Sequence, residues 1–279
     1  MDLKYKNLRS VEDTSFEILK NLILKKLGLD CNYYRDNYVR RRIDYRMEVL
    51  GLKSYLDYIK LLRDNSDEWS FLVRDLTVNY TSFFRDPDVF SYFRTRILPI
   101  LIAKKKVIRI LSAGCSSGEE PYTISIIIND VLGSNINKYL VSIYAVDIDI
   151  FRLKKAMKGE YEEREVSRIN KVYLDKYFKK MDGKYRVKEC IKRLVHFRYL
   201  DLTQEIEYRY LDVIFCRNTF IYFSKEAQIR ICHKFYDALN EGGFLIIGKS
   251  EILPEEVQGK FVCIDNKRRI YQKIRRDCL

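Results

Sequence analysis

The sequence predicts an α/β protein: a doubly wound, mostly parallel sheet closed by an antiparallel C-terminal hairpin, with a small inserted β-element and an all-α domain in front. Three observations predict it. Residues 1–78 carry helical periodicity and no strand signal. From Val107 onward, apolar strand-like runs alternate with helical patterns. The first of these runs, VIRIL, stops at the small-residue turn SAGCSSG (112–118), which opens a helix. A strand that ends in a glycine turn and starts a helix is how α/β proteins hold nucleotide-like ligands.

The elements follow in order. Phe16, Leu19, Ile23 and Leu27 recur at helical spacing, and Gly28 suits a C-cap. A second helix places Val39, Ile43, Met47 and Leu50 on one stripe, closed by Gly51. A third carries Tyr55, Ile59 and Leu62, and a fourth, after Asp67, turns Trp69, Leu72 and Leu76 inward. The polar-aromatic stretch TVNYTSFFRD (77–86) joins this domain to the next. Asp86-Pro87 opens a helix through Phe90 and Phe93, which Pro99 is expected to interrupt. Then come VIRIL, a helix from Pro121, the strand VSIYAVD and a helix near Leu153–Met157. Residues 160–200 break the alternation. Their helical piece (172–178), the turn Asp182-Gly183 and the runs YRVKEC and LVHFRYL are expected to form an inserted helix plus hairpin. Alternation resumes with LDVIFC, a helix from Lys225 to Leu239 and FLIIG, and FVCIDNKRRIYQKI forms the closing hairpin. The expected domains are therefore 1–78 and 79–279, the second containing the insertion at about 160–200.

With 47% hydrophobic and 33% charged residues the composition is globular. No apolar run reaches the length of a membrane span, and MDLKYKNLRS lacks an apolar signal core. Seven cysteines without a CxxC pair fit reduced thiols, with no metal site, in a cytoplasmic protein. The formal net charge is +13, so acidic partners are expected. Residues 151–199 hold 16 Lys+Arg against 7 Asp+Glu, a net of +9, whereas residues 1–78 hold 15 against 13, a net of +2. No zinc-finger or RNP-type motif points to nucleic acid.

The turn departs from G-x-G-x-x-G: Gly114 and Gly118 are present, but Ser116 stands where the middle glycine would let a backbone approach a pyrophosphate. A phosphate-free, cationic ligand such as S-adenosylmethionine fits better, because its sulfonium and amino groups favour carboxylates. Glu119 and Glu120 supply them, at the start of the helix. Asp147, ending VSIYAVD, suits the two hydroxyls of a ribose; Asp149 competes for that role. On the second helix Arg42 and Arg46 share a face with Arg41 and Tyr45 beside them, a surface suited to an acidic helix.

TVNYTSFFRD, SAGCSSGEEPYT, YAVDID, DVIFCRNTFIYFSKEAQ and GFLIIGKSE occur in this order along essentially the whole chain. In this the sequence resembles the CheR family of chemotaxis receptor methyltransferases. The resemblance implies a class I (Rossmann-like) methyltransferase fold and methyl transfer from S-adenosylmethionine to glutamate side chains of receptor helices, with S-adenosylhomocysteine as product. It implies cofactor contacts from Asn79, Thr81, Arg85, Gly114, Glu120, Asp147, Asp201, Leu202, Arg217 and Asn218. Asp201 stands where the family often has Asn. It implies catalytic roles for Arg217, Tyr222 and Arg85, and receptor docking by Arg41, Arg42 and Arg46, with Glu48 where a further arginine is often found. The inserted hairpin resembles the subdomain that, in some members, binds a receptor's C-terminal peptide. A cytoplasmic monomer is expected, recruited to membranes only through receptor clusters. The competing readings are a methyltransferase of another substrate class and a cofactor-binding module without catalysis. A dinucleotide oxidoreductase ranks last, since Ser116 and the lack of a hydride-transfer group oppose it.

A carboxylate acceptor also suits the residue inventory. Glutamate is ionised at neutral pH, with a reference pKa of about 4.3. It needs no general base, only alignment with a sulfonium leaving group and exclusion of water.

Overall fold

The computed structural model describes residues 2–77 and 80–274, with side chains from Val11 onward. These residues form two compact units.

The first unit is helical: α1 (Asp2–Leu27), α2 (Asp36–Val49), α3 (Tyr55–Asp64) and α4 (Ser66–Leu76). The apolar stripes meet as their periodicity requires, burying Phe16, Leu19, Ile23, Val39, Ile43, Ile59, Leu62 and Leu72. Gly28 ends α1 with a left-handed φ of 71°, and its N–H donates to the Leu24 carbonyl at 2.8 Å. A distant segment joins this unit. Residues Tyr222–Ala227 belong to it, held by N–H bonds from Arg35 to the Tyr222 carbonyl (2.9 Å) and from Ser224 to the Tyr33 carbonyl (2.8 Å).

The second unit is α/β. Its main sheet contains β1 (Val107–Ala113), β2 (Leu140–Asp147), β6 (Val195–Tyr199), β7 (Leu211–Cys216), β8 (Leu239–Ile247), β9 (Phe261–Asp265) and β10 (Ile270–Lys273). The spatial order is β6-β2-β1-β7-β8-β10-β9. The strands from β6 to β8 are parallel, and β10 runs antiparallel to both β8 and β9. After β1 the chain winds outward through β2 to β6, then returns to the other side of β1 as β7. The strand order therefore reverses between β1 and β7, and the carboxyl ends of these two strands frame the ligand crevice of a doubly wound sheet. Buried Ile108, Ile110, Ile143, Val213, Phe215 and Ile246 form the sheet's part of the core. A second sheet, β3 (Glu160–Glu162), β4 (Phe178–Met181) and β5 (Lys184–Val187), has the order β3-β5-β4 and is antiparallel.

Three expectations need correction. Pro99 does not interrupt its helix: the chain runs through α5 (Pro87–Tyr92), a π-helical turn (Phe93–Ile97) and α6 (Leu98–Lys104). The π turn, with Leu98 N–H donating to the Phe93 carbonyl, absorbs the missing proline donor. LVHFRYL is not part of the inserted hairpin: it supplies β6, the parallel edge of the main sheet, and the hairpin is β4–β5 with β3 as its third strand. The periodicity of an edge strand and of a hairpin strand is the same, so only pairing distinguishes them. The helix after the glycine turn, α7 (Glu119–Leu132), begins two residues before Pro121 because Gly118 (φ 95°) turns the chain there. A proline within the first turn removes a donor that has no partner anyway. No described helix is long and apolar enough to cross a membrane.

Candidate active site

The turn after β1 is shaped by its own backbone bonds. The N–H groups of Gly114 and Cys115 donate to the Val146 carbonyl at 2.9 and 3.0 Å, and that of Gly118 to the Cys115 carbonyl at 3.0 Å. The Ser116 N–H donates to Asp147 Oδ2 at 2.7 Å. A phosphate site needs such amides free and converging on the anion. These four are turned inward, so the turn is built for a ligand without phosphate. Ser116 is itself left-handed (φ 48°), the conformation that glycine would adopt without strain. The bond to Asp147 offsets the strain.

Asp147, at the end of β2, also accepts from the Asp149 N–H at 2.8 Å. Desolvation pushes its carboxyl up to about 6, against the opposing pull of these backbone donors. Asp149 is buried and caps α8 (Ile150–Lys158), accepting from the N–H groups of Phe151 and Arg152. Of the two aspartates, Asp149 is thus committed to a helix and Asp147 carries a carboxylate fixed only by backbone. Past β6, the Leu200 N–H donates to the Asp147 carbonyl at 3.0 Å, which brings the following Asp201 and Leu202 to the same end of the sheet. Both are buried. Asp201 Oδ1 accepts from the Thr203 N–H and hydroxyl, while Oδ2 is buried without a hydrogen-bond partner.

The paired glutamates separate in role. Glu119 is buried, its oxygens both 2.9 Å from the Ser117 hydroxyl, and burial pushes its carboxyl up to about 7. It therefore carries only part of a charge at neutral pH and is a weaker counter-ion than an ordinary glutamate. Glu120 accepts from the Ser112 hydroxyl at 2.8 Å and pairs with Arg217 Nη1 at 3.2 Å. Burial raises its pKa, and Arg217, Ser112 and Arg85 oppose that shift.

Arg217 is the hub. Its Nη2 lies 2.5 Å from Asp86 Oδ2 and donates to the Arg85 carbonyl at 2.8 Å, and its guanidinium carbon stands 5.1 Å from the Phe90 ring centre. With 2% of its side chain exposed, it ties the connector before α5 to Glu120. Its forked end is paired with two carboxylates, and only Nε is left buried without a hydrogen-bond partner. Arg85 donates from Nη1 to the Tyr80 carbonyl at 2.8 Å and lies over the Tyr80 ring. Thr81 is half-buried in the same connector. Asn79 lies outside the described residues.

Asn218 is left-handed (φ 59°), with Oδ1 buried and without a partner. Its N–H donates to Glu251 Oε2 at 3.0 Å. Thr219 packs on the cofactor turn: a Cβ on Gly114 would lie 2.5 Å from Thr219 Oγ1. Glu251, Asp86 and Ser112 are site residues that sequence reasoning missed. The SE of GFLIIGKSE and the RD of TVNYTSFFRD were visible as motif letters, but what they grip was not.

In the helical unit, the Tyr222 ring packs at a tilt against Tyr38, with ring centres 4.9 Å apart. Arg41 is exposed. The Arg42 guanidinium stands 5.6 Å from the Tyr38 ring. Arg46 is held by an ion pair. It grips Glu68 through two bonds of 2.5 and 2.7 Å, and Tyr58 donates to the same carboxylate. Glu68 is 2% exposed, so Arg46 balances a buried charge within the unit, which corrects its expected place on the docking face.

The residues fit S-adenosylmethionine. Two buried acceptors, Asp201 Oδ2 and Asn218 Oδ1, have no hydrogen-bond partner. Buried polar groups carry that cost only where something else answers them, and a ligand with hydroxyl and amino donors does so.

Comparison with known proteins gives matches along most of the chain. Residues 79–270 match the family model described as CheR methyltransferase, SAM binding domain, and residues 14–77 match that described as CheR methyltransferase, all-alpha domain. The chain is 32% identical over 258 residues to a chemotaxis protein methyltransferase of Borreliella burgdorferi, covering 88% of this chain and 90% of that one. It is 33% identical over 252 residues to chemotaxis protein methyltransferase 1 of Pseudomonas aeruginosa (88% and 92% covered). It is 32% identical over 251 residues to the chemotaxis protein methyltransferase of Escherichia coli (87% and 85% covered).

Proposed function

The chain belongs to the CheR methyltransferase family, and from that premise we propose that it methylates glutamate side chains on the cytoplasmic helices of chemotaxis receptors. Family membership makes it an S-adenosylmethionine-dependent methyltransferase of chemotaxis. The observation that carries the reading is the match of both domains to this family, together with relatives named chemotaxis protein methyltransferases over nearly their full length. Receptor glutamate as the acceptor, and residue roles beyond the geometry above, are our reading.

When bound, S-adenosylmethionine supplies a methyl group on a positively charged sulfur; a carboxylate oxygen gains the methyl, the S–C bond breaks, and an ester and a thioether result. The acceptor glutamate arrives ionised, so no residue need remove a proton. Catalysis by this chain is therefore positioning and exclusion of water. Asp147 accepts from ribose hydroxyls, and Asp201 and Asn218 accept from cofactor N–H or O–H groups. Leu202 and Gly114 shape the pocket wall. Arg217 holds the Arg85–Asp86 backbone and Glu120 in place, and Thr81, Asn79 and Arg85 serve the cofactor from that connector. Arg41 and Arg42 bind an acidic receptor helix. The β4–β5 hairpin, with exposed Lys179, Lys180 and Lys184, offers edge backbone and positive charge to a receptor's C-terminal peptide.

The test is transfer of labelled methyl from the cofactor to receptor-containing membranes. Label that mild base releases as methanol supports the reading, and label that survives base contradicts the ester.

A further inference from the structure

Glu251 has no place in the scheme above, yet its carboxylate is among the most tightly held groups of the α/β unit. It follows β8, is 3% exposed, and sits where an unanswered charge would be costly. Its answers are backbone amides. Oε2 accepts from the Gly248 N–H at 2.5 Å and from the Asn218 N–H at 3.0 Å, and Oε1 accepts from the Ile221 N–H at 3.2 Å. The Thr219 backbone adds a further favourable bond, and these donors oppose the upward pull of burial on the carboxyl. Charge-assisted bonds of this kind are roughly twice as strong as neutral ones.

The groups so held are not incidental. Three of them belong to the turn after β7, at the switch point of the sheet. That turn begins with left-handed Asn218, whose buried Oδ1 has no partner. It continues with Thr219, whose Oγ1 occupies the space a Cβ on Gly114 would need, and Thr219 Oγ1 donates to the Arg217 carbonyl at 3.2 Å. The grip is close enough to exclude a methyl group. A Cβ on Gly248 would fall 2.6 Å from Glu251 Oε2, 2.8 Å from the Asn218 nitrogen and 2.9 Å from Asn218 Nδ2.

We propose that Glu251 is a positioning residue: its carboxylate clamps the Asn218–Ile221 turn so that Asn218 and Arg217 stand correctly against the cofactor turn at Gly114. Only the effect on turnover rests on the acceptor proposed above; the effects on the turn and on cofactor binding do not. In Glu251→Gln the side chain keeps its shape, but one of its two terminal atoms becomes an N–H donor facing an N–H donor. Gly248→Ala leaves the carboxylate intact and wedges the clamp open.

The experiment combines amide hydrogen exchange and titration with S-adenosylhomocysteine on both variants, at a temperature well below their unfolding midpoints. Exchange protection is expected to fall about tenfold or more at Asn218, Thr219 and Ile221 while the amides of β1 and β8 keep theirs, and affinity is expected to fall about tenfold. A merely structural role lowers protection across the sheet and leaves the affinity of the folded fraction unchanged. Retained protection at Asn218, or unchanged affinity once it is lost, overturns the proposal. Methyl transfer by wild type and variants runs alongside. A misplaced site costs up to about a hundredfold in rate, so a drop in kcat/KM at least as large as the loss of affinity is expected. Wild type inactive on receptors refutes the acceptor reading, and the other two measurements still decide the clamp.

Discussion

Arg217 Nη2 lies 2.5 Å from Asp86 Oδ2, and through Nη1 the same guanidinium reaches Glu120 at 3.2 Å. One buried cation thus fastens the connector that enters the α/β unit to the first turn of α7. Removing it strands two carboxylates. Arg217→Ala is expected to destabilise this unit by about 3–5 kcal/mol. Arg217→Lys keeps the charge but cannot reproduce the fork, so it costs less stability and still weakens binding of S-adenosylhomocysteine. Urea unfolding and a binding titration measure the two effects. A lysine variant with wild-type affinity would show that the fork does not position the site.

Asp147 makes cofactor binding sensitive to pH. Its carboxyl is raised from 3.8 to about 6, and it is the ionised form that accepts from ribose hydroxyls. Binding therefore favours loss of a proton. Affinity for S-adenosylhomocysteine is expected to fall as pH is lowered through about 6 and to level off above 7. Asp147→Asn is expected to bind weakly and to lose this slope. An equally steep slope in the variant would assign it to another group.

Glu119 affects stability in the opposite sense. Its folded carboxyl is raised from 4.5 to about 7, so the folded state holds a proton that the unfolded chain has released. Its contribution is full below about 4.5 and is lost as pH rises through about 7. Glu119→Gln, which mimics the protonated form, is expected to raise the thermal midpoint by a few degrees at pH 8 and to change it little at pH 5. Equal shifts at both pH values would place the Glu119 titration outside this window.

The arginines of α2 are expected to divide by their partners. Arg46→Ala unpairs Glu68, which is 2% exposed, and should destabilise the helical unit by about 3 kcal/mol or more. Arg41→Ala should leave the thermal midpoint within about 2 °C of wild type, since surface substitutions cost little, whereas half-buried Arg42, over the Tyr38 ring, also loses packing when cut to alanine; each should raise KM for receptors about threefold to tenfold. Intact KM in Arg41→Ala/Arg42→Ala together would move docking away from α2.

Much of the fold was legible because strand and helix periods differ, and the buried stripes of α2 to α4 and the run Val107–Leu111 leave little choice of face. Pairing was less legible. LVHFRYL reads equally well as a hairpin strand or as the edge strand β6, and only its register with β2 decides. Segment Tyr222–Ala227 joined the helical unit through backbone bonds to Tyr33 and Arg35 that no periodicity announces. At the site, letters were readable and partners were not. Arg42 and Arg46 share helical spacing, but what separates them is Glu68, 22 residues further along from Arg46. Asp86 read only as the opening of a helix and Glu251 only as a motif letter, because Arg217 and Asn218, which they hold, lie far away in the chain.

Locating the methyl decides whether receptor glutamate is the acceptor. Receptor-containing membranes are incubated with the protein and S-adenosylmethionine, and the receptor's cytoplasmic helices are then sequenced by tandem mass spectrometry. Methyl groups are expected on glutamate side chains and are expected to be absent when Asp147→Ala replaces the wild type. Methyl groups found only on lysine, arginine or RNA, or no transfer by a protein that binds S-adenosylhomocysteine tightly, would contradict this reading.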